Sequence, residues 1–341
     1  MSIADAIDCV MARREVPAPV LEEAFGTIMD GKATPAQIGA LLVGLRTKGE
    51  TVAEMVAVAR AMRARAQTAP LADPTAVDTC GTGGDGSGTF NISTTAAFVA
   101  AGAGLTVAKH GNRAASSRTG SADVLEALGV RIDLAVADAA EVLGEVGIGF
   151  FFARRAHPAM RHVAPVRAEL GVRTLMNCMG PLLNPVGARR QVVGVYAADL
   201  VEPLAHVLSE LGADAAWVVH GDDGLDEITT TGRTRAAKLE EGAIVPFVVD
   251  PESLGIPLAS REALAGGDAQ ENAAIARSVL AGEGGAPADI VALNAAAALV
   301  VGGRADDLAG GLALARAAIA SGAAADKLDA LVAATQRRAG G

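Results

Sequence analysis

The stretch from Asp78 to Ser121 decides the fold and carries most of the chemistry of this chain. It reads DTCGTGGDGSGTFNISTTAAFVAAGAGLTVAKHGNRAASSRTGS. A short apolar run leads into a glycine-dense loop between Gly81 and Gly88, and an alanine-rich run suited to a helix follows. Small residues let the backbone approach a ligand closely, and the first turn of a helix offers free N–H groups to an anion. The stretch therefore predicts a strand, a phosphate-binding loop and a helix in succession.

A second apolar run, at 105–108, leads directly into a basic turn that extends from Lys109 to Arg113 (KHGNR). Ligands of open α/β sheets bind at the carboxyl ends of the strands, which is where this turn is expected. We therefore predict that Lys109 and Arg113 face a phosphate-rich small molecule. The alternatives are that these charges form a solvated basic surface and that His110 has a structural role.

The glycine loop matches the dinucleotide fingerprint in spacing alone, at Gly81, Gly83 and Gly86. Asp85 would face the pyrophosphate, no helix is expected directly after Gly86, and the next strand leads to a lysine instead of an acidic residue. A Walker loop would need Gly-Lys-Ser/Thr after the glycines, which this chain lacks. A flexible turn remains the other interpretation. A phosphate cradle is favoured by the hydroxyl groups that follow, on Thr89, Ser93, Thr94 and Thr95.

Composition and charge narrow the class of protein. The chain has 341 residues, of which 51% are hydrophobic and only 3% aromatic, so its core must consist of Ala, Val and Leu. The net charge of −10 argues against nucleic acid and against an anionic membrane surface as partners. Cys9, Cys80 and Cys178 lack the spacing of a disulfide framework or a zinc site, and the N-terminus lacks the apolar core of a secretory signal. We therefore expect a soluble, cytoplasmic protein.

Two kinds of pattern divide the chain. Up to about residue 66 only helices are predicted, with an N-cap at Thr34 and a capping box of Thr51 with Glu54. From Val77, β-branched runs alternate with alanine-rich runs, which predicts an α/β protein with a sheet covered by helices. We place strands near Val77 and at 105–108, 130–132, 148–152, 192–196, 217–220 and 244–249. We place helices at 121–128, 136–146, 158–170, 201–211, 271–280 and 289–301, and from residue 306 onwards.

Three further segments stand out. The turns in 173–185 favour a hinge between two regions and an ordinary surface loop equally. Carboxylates crowd one turn, which predicts either a Mg²⁺ site or a hydrated acidic turn: Asp222, Asp223, Asp226 and Glu227. Basic residues cluster near a predicted helix, and one arginine among them would suit a substrate carboxylate: Arg154, Arg155, His157, Arg161, His162, Arg167 and Arg173.

The segments GTGGDGSGTFNIST, KHGNRAASS, GSADVLEALG, HPAMRHVAPVRAELGVRT and GPLLNP, with the pair Asp226-Glu227, closely resemble the anthranilate phosphoribosyltransferase family of tryptophan biosynthesis. The N-terminal helices and the run LNAAAAL fit as well, so the resemblance covers nearly the whole chain. It implies a Mg²⁺-dependent transfer of the phosphoribosyl group from 5-phospho-α-D-ribose 1-diphosphate (phosphoribosyl pyrophosphate) to the amine of anthranilate. The products would be N-(5-phosphoribosyl)anthranilate and pyrophosphate, in the second step from chorismate to tryptophan.

The resemblance also implies the site residues. Phosphoribosyl pyrophosphate would be bound by Gly81, Gly84, Asp85, Thr89, Asn91, Ile92, Ser93, Thr94, Lys109, His110, Gly111, Asn112, Arg113, Ala114, Ala115, Ser116, Ser117 and Ser121. Anthranilate would contact Gly81, Asn112 and Arg167. Mg²⁺ would be held by Ser93, Asp226 and Glu227, in a site with room for two ions per subunit. No general acid or base is expected, because the lone pair of an aromatic amine is already free near neutral pH.

The implied architecture is a small N-terminal all-helical domain, residues 1–70, hinged through 173–185 to a larger α/β domain made of 75–172 and 186–341. Such proteins assemble as homodimers through the helical domain. Two alternatives remain: a nucleoside phosphorylase of the same fold, and a non-catalytic paralogue that binds nucleic acid. The acidic charge and the retained Asp226-Glu227 pair argue against the paralogue.

Overall fold

The N-terminal segment folds as four helices. In the computed structural model, which describes residues 2–114 and 118–338, these are α1 Ile3–Met11, α2 Ala18–Met29, α3 Pro35–Lys48 and α4 Val52–Arg63. The predicted capping box is confirmed: the Thr51 hydroxyl accepts from the Glu54 N–H at 3.2 Å, and the Glu54 carboxylate accepts from the Thr51 N–H at 2.9 Å. Thr34 likewise caps α3. These caps satisfy backbone N–H groups that a helix leaves free in its first turn.

A mixed sheet forms the centre of the remaining chain. Its strands are β1 Val77–Gly81, β2 Val107–Gly111, β3 Ile148–Phe152, β4 Arg190–Gly194, β5 Ala215–Gly221, β6 Thr234–Glu240 and β7 Ala243–Val249. Their order is β3-β2-β1-β4-β5-β6-β7; the first five are parallel, and β6 and β7 are antiparallel. Helices flank the sheet, which confirms the predicted fold class. These helices are α5 Ile92–Gly102, α6 Ser121–Ala127, α7 Val136–Val146, α8 Ala153–Ala156, α9 Ala164–Leu170, α10 Val201–Glu210, α11 Ala269–Leu280, α12 Ala286–Val301, α13 Leu308–Ala320 and α14 Ala323–Arg338.

Three element predictions were wrong. Val130 and Ile132 are buried, but 130–132 is not a strand, and the Arg131 N–H donates to Thr335 Oγ1 at 3.1 Å instead of to a neighbouring strand. β6 was missed because its sequence, TRAAKLE, contains few residues that favour strands. The single helix expected at 158–170 is a 3₁₀ turn followed by α9, because Pro165 in the first turn of α9 supplies no N–H to continue the preceding turn.

Two large apolar clusters lie on the two faces of the sheet. One gathers around α12, whose small side chains are almost all buried and let α5 and α13 approach closely. The other joins the four N-terminal helices and 175–183 to α10 and to one face of β4 and β5. The N-terminal helices are therefore packed on the same framework that carries the strand ends.

Within 2–114 and 118–338, no single helix is long and apolar enough to cross a membrane. The adjoining helices Leu308–Ala320 and Ala323–Arg338 meet the criteria of length and composition only together, and they are bent by 66° where they meet.

Candidate active site

Four neighbouring parallel strands end in glycine at the same edge of the sheet: β1, β2, β4 and β5. Gly81 of β1 and Gly194 of β4 lie side by side in register. A Cβ on Gly81 would lie 2.5 Å from Asp226 Oδ2, and a Cβ on Gly194 would lie 1.6 Å from the Asp226 carbonyl oxygen. Only glycine at both positions leaves room for the acidic loop, which lies directly on these strand ends.

The glycine loop after β1 uses backbone conformations that favour glycine. Positive φ angles between +67° and +75° occur at Gly83, Gly84, Gly86 and Gly88. The Gly83 N–H donates to Asp226 Oδ2 at 2.7 Å, and Asp85 Oδ2 accepts from the Asp226 N–H at 3.4 Å. The loop and the acidic segment, which are far apart in sequence, are thus hydrogen-bonded to each other.

The first turn of α5 faces the same acidic segment. The Ser93 N–H donates to Glu227 Oε1 at 3.1 Å, and the Ser93 side chain is also hydrogen-bonded to this carboxylate. Asn91 does not cap the helix with its side chain; its Nδ2 donates to the Thr119 carbonyl at 3.2 Å and its Oδ1 accepts from Asn272 at 3.0 Å. The positive end of the helix dipole is therefore directed at Glu227.

Burial and mutual repulsion disfavour the charged forms of the two carboxylates. The pKa of Asp226 is raised by burial and by the nearby carboxylates Asp85 and Glu227. Burial raises the pKa of Glu227 to about 7, although the Lys109 ammonium opposes this shift. Such a pair is stabilised when a cation lies between the carboxylates. The residues present thus fit a Mg²⁺ ion.

The described chain nowhere brings three His, Cys, Asp or Glu side chains close enough to hold an ion by themselves. Mg²⁺ keeps water and substrate phosphates among its ligands, so it does not require three protein carboxylates. The four carboxylates crowded in the sequence are separated in the fold. Asp223 accepts from the hydroxyls of Thr229 and Thr231, and Asp222 pairs with Arg235 at 2.9 Å. Asp226 accepts from the Gly83 N–H in the glycine loop, and Glu227 accepts from the Ser93 N–H at the start of α5.

Lys109 and His110 lie below the surface of the site. Lys109 is 4% exposed, and its Nζ donates to the Thr79 carbonyl. Burial lowers the pKa of Lys109, and the nearby Asp78 carboxyl opposes that shift. The His110 N–H donates to Asp78 Oδ1 at 3.0 Å, and its ring Nδ1 donates to the Gly180 carbonyl at 3.2 Å.

The turn after β2 is attached to the start of α6. A Cβ on Gly111 would lie 2.2 Å from Ser121 Oγ, and that hydroxyl donates to the Asn112 carbonyl at 3.3 Å. Arg113 pairs with Asp123 at 2.7 Å and also with Glu126. The Ala114 N–H donates to Asp123 at 3.0 Å. The predicted site residues Ala115, Ser116 and Ser117 lie outside the described residues.

Arg167 on α9 is half-buried, and burial lowers its pKa. Its guanidinium makes no hydrogen bond or ion pair with any residue in 2–114 or 118–338. By contrast, Arg154, Arg155 and Arg161 are exposed. A half-buried guanidinium without a partner suits a carboxylate, which it can bind with two parallel hydrogen bonds. Within the basic cluster of the sequence, Arg167 is therefore the residue that best fits an anionic ligand.

Residues that sequence reasoning did not assign to the site also build it. Gly194 provides space for Asp226, and the Thr82 Oγ1 accepts from the Tyr196 N–H at 3.1 Å, which joins the glycine loop to the end of β4. A glycine inside the strand predicted at 192–196 was the available signal for Gly194. Arg173 stood in the basic cluster, but nothing in the sequence distinguished it.

Comparison with known proteins identifies the family. Residues 73–325 match the model described as "Glycosyl transferase family, a/b domain", and residues 4–66 match "Glycosyl transferase family, helical bundle domain". The anthranilate phosphoribosyltransferase of Azorhizobium caulinodans is 55% identical over 315 residues, which cover 92% of this chain and 91% of that protein. This chain belongs to the anthranilate phosphoribosyltransferase family.

Solved structures of the anthranilate phosphoribosyltransferase family share the fold. The enzyme of Thermus thermophilus superposes with a TM-score of 0.93 at 46% identity, covering 97% of this chain and 99% of that one. The Saccharomyces cerevisiae enzyme, in complex with phosphoribosyl pyrophosphate (PRPP) and Mg, superposes with a TM-score of 0.91 at 25% identity and covers 98% of both chains.

Proposed function

We propose that this chain transfers the phosphoribosyl group of phosphoribosyl pyrophosphate to the amine of anthranilate, giving N-(5-phosphoribosyl)anthranilate and pyrophosphate. The observation that carries the proposal is the pair Asp226 and Glu227, hydrogen-bonded to the N–H groups of Gly83 and Ser93. This contact brings a metal-binding pair onto an anion-binding loop and onto the start of a helix. Relatives named for this activity, at 55% identity over nine-tenths of the chain, support it.

The donor would lie along the glycine loop and the start of α5. Backbone N–H groups in these two segments can bind phosphate oxygens without a cost in side-chain entropy. The turn from Lys109 to Ser117 and Ser121 would complete the donor site.

Ser93, Asp226 and Glu227 would hold Mg²⁺, and we propose two ions per subunit. Bound Mg²⁺ would supply positive charge to the leaving pyrophosphate. The two carboxylates repel each other and are partly buried, so they lose repulsion when they bind a cation.

Anthranilate would bind with its carboxylate on Arg167 and with its ring near Gly81 and Asn112. The unpaired, half-buried guanidinium supports this assignment. The acceptor amine would then attack the ribose carbon from the face opposite to pyrophosphate, so we expect inversion at that carbon. The protein's part in this reaction is to position the substrates and to stabilise charge, and no side chain is assigned as a general base.

Assembly and compartment are also part of the proposal. Residues 1–70 would form the helical domain and the surface of a homodimer, and 173–185 would act as the hinge to the α/β domain of 75–172 and 186–341. Exposed apolar side chains on α1 and α3, Met11 and Val43, support a surface that a second copy covers. The protein would work in the cytoplasm, without nucleic acid or membrane partners.

The test is a fluorescence assay with pure protein, anthranilate, phosphoribosyl pyrophosphate and Mg²⁺. We expect loss of anthranilate fluorescence that requires both substrates and stops on addition of EDTA. If the protein binds the donor in calorimetry but leaves anthranilate unchanged, the acceptor assignment is wrong. A pyrimidine nucleoside cleaved by phosphate in the same preparation would instead favour a nucleoside phosphorylase.

A further inference from the structure

Arg173 connects the segment after α9 to the glycine loop. Its guanidinium lies over the ring of Tyr196, with its carbon 4.2 Å from the ring centroid. Its Nη2 also donates to the carbonyl oxygen of Gly84. The side chain is therefore held between an aromatic face and the backbone of the loop that would bind the donor pyrophosphate.

The glycine loop is held by hydrogen bonds at both ends, because the Thr82 N–H donates to the Gly194 carbonyl at 2.8 Å and the Gly88 carbonyl accepts from the Gly266 N–H at 2.9 Å. Between these ends, a Cβ on Gly83 or Gly86 would meet no atom within 4 Å, so the space beside these two residues is open. Asp226 anchors the loop through the Gly83 N–H. Arg173 anchors it at the next residue, through a carbonyl and from a different part of the chain. The first contact orients the peptide between Thr82 and Gly83, and the second orients the peptide between Gly84 and Asp85.

The chemistry of the contact suits arginine specifically. A planar guanidinium can stack on an aromatic ring and still donate in its own plane, whereas an ammonium cannot do both in this way. Two contacts hold Tyr196 in place: its N–H donates to Thr82 Oγ1, and its hydroxyl lies 3.7 Å from Cys178 Sγ. The platform beneath Arg173 is thus tied to the first residues of the same loop.

The position of Arg173 in the chain adds a second link. α9 ends at Leu170 and is capped by Gly171, which has φ +62°; Arg173 follows two residues after this glycine. The same helix carries Arg167, which we assign to the acceptor carboxylate. A movement of α9 would therefore reach both the acceptor arginine and the donor loop.

We propose that Arg173 is a positioning residue for the donor: it orients the peptide between Gly84 and Asp85, so that the N–H groups of the loop face the pyrophosphate. The proposal rests on the proposed function, because it assumes that phosphoribosyl pyrophosphate occupies the glycine loop. Arg173 itself needs no contact with either substrate.

The test compares steady-state kinetics of three variants with the wild type, and the wild type's own turnover reports separately on the proposed function. For Arg173→Ala we expect the KM for phosphoribosyl pyrophosphate to rise about tenfold, which corresponds to about 1.4 kcal/mol. The KM for anthranilate at saturating donor should stay unchanged. Arg173→Lys should behave as Arg173→Ala does, because charge without the planar contact does not orient the loop. Calorimetry with the donor alone should show the same weakening.

Arg189→Ala is the matched control. Arg189 is exposed, and it too donates to a main-chain carbonyl, that of Gly212 at 2.8 Å, but it lies at the amino end of β4, opposite to the site. Its substitution should leave both KM values unchanged. Full activity of Arg173→Lys would show that charge alone matters and would overturn the positioning role. An unchanged donor KM in Arg173→Ala, or an equal rise for both substrates, would overturn it too.

If Arg173→Ala does not fold, the pair Tyr196→Leu and Tyr196→Phe gives the same test. Loss of the ring should weaken donor binding, and loss of the hydroxyl alone should not. Equal donor affinity in these two variants would contradict the proposal.

Discussion

Two buried imidazoles make stability depend on pH, and His157→Gln is the substitution that isolates one of them. The rings of His110 and His157 pack edge to face with centroids 5.2 Å apart. Nε2 of His157 donates to the Leu183 carbonyl at 2.9 Å, and Nδ1 of His110 donates to the Gly180 carbonyl. Both side chains therefore fasten 180–183 to the sheet while they are neutral.

Burial is the main cause of low pKa values in both rings. The pKa of His157 is lowered to about 4 and that of His110 to about 3, from the ordinary value of 6.5. Because the folded pKa lies below the unfolded one, the unfolded chain takes up more protons as the pH falls below 6.5. The contribution of these two rings to the free energy of unfolding is therefore fully present above pH 6.5 and is lost progressively as the pH falls towards 4. For His157 the loss between pH 7 and pH 5 is about 2 kcal/mol.

In His157→Gln a neutral amide N–H can donate to the same carbonyl but does not take up a proton. We expect the fall in the free energy of unfolding between pH 7 and pH 5 to be smaller than in the wild type by about 2 kcal/mol. Urea unfolding followed by the fluorescence of Trp217, the one tryptophan of the chain, measures this difference. His206→Gln, at an exposed position on α10, is the control and should keep the wild-type dependence. If His157→Gln loses as much stability on acidification as the wild type, the reasoning is refuted.

Three further substitutions test the site itself. Asp226→Asn combined with Glu227→Gln should lower Mg²⁺-dependent turnover at least about tenfold while circular dichroism shows an intact fold; wild-type rates would remove the metal role. Arg167→Ala should raise the KM for anthranilate about tenfold and that for the donor less, and the reverse order would place the acceptor elsewhere. Gly194→Ala should lower the free energy of unfolding by about 1–3 kcal/mol, because its Cβ would lie 1.6 Å from the Asp226 carbonyl. Gly144→Ala should not lower the free energy of unfolding, because its Cβ would meet no atom within 4 Å. Equal stabilities of these two variants would refute the packing argument.

The features that sequence predicted well are those that depend on local residue types. The capping box at Thr51 and the glycine loop needed no knowledge of distant contacts, because positive φ angles and free N–H groups are properties of neighbouring residues. Helices such as Val136–Val146 were predicted to the residue for the same reason. Asp226 and Glu227 are also neighbours in the sequence, and their role as the metal-binding pair stays a prediction.

The features that sequence missed depend on partners far along the chain. β6 has a weak strand sequence and exists because it pairs with β5 on one side and β7 on the other. Residues 130–132 have an apolar pattern typical of strands but find core contacts without a ladder partner. Lys109 follows an apolar run, and the sequence predicted that it faces a phosphate-rich ligand; it gave no sign that the ammonium is buried against the Thr79 carbonyl. No pattern within a few residues contains this information.

The same distinction separates groups that meet a substrate from groups that hold them in place. A group that binds phosphate or metal must be of a particular chemical type, so motifs in the sequence reveal it. Gly194 and Arg173 act through geometry: one leaves space for Asp226, and the other orients a peptide more than eighty residues away. From residue type alone, neither can be distinguished from the other glycines and arginines of the chain. The precision of the site therefore depends on residues whose chemical type does not reveal their role: substitution of Gly194 should lower stability, and substitution of Arg173 should weaken binding of the donor.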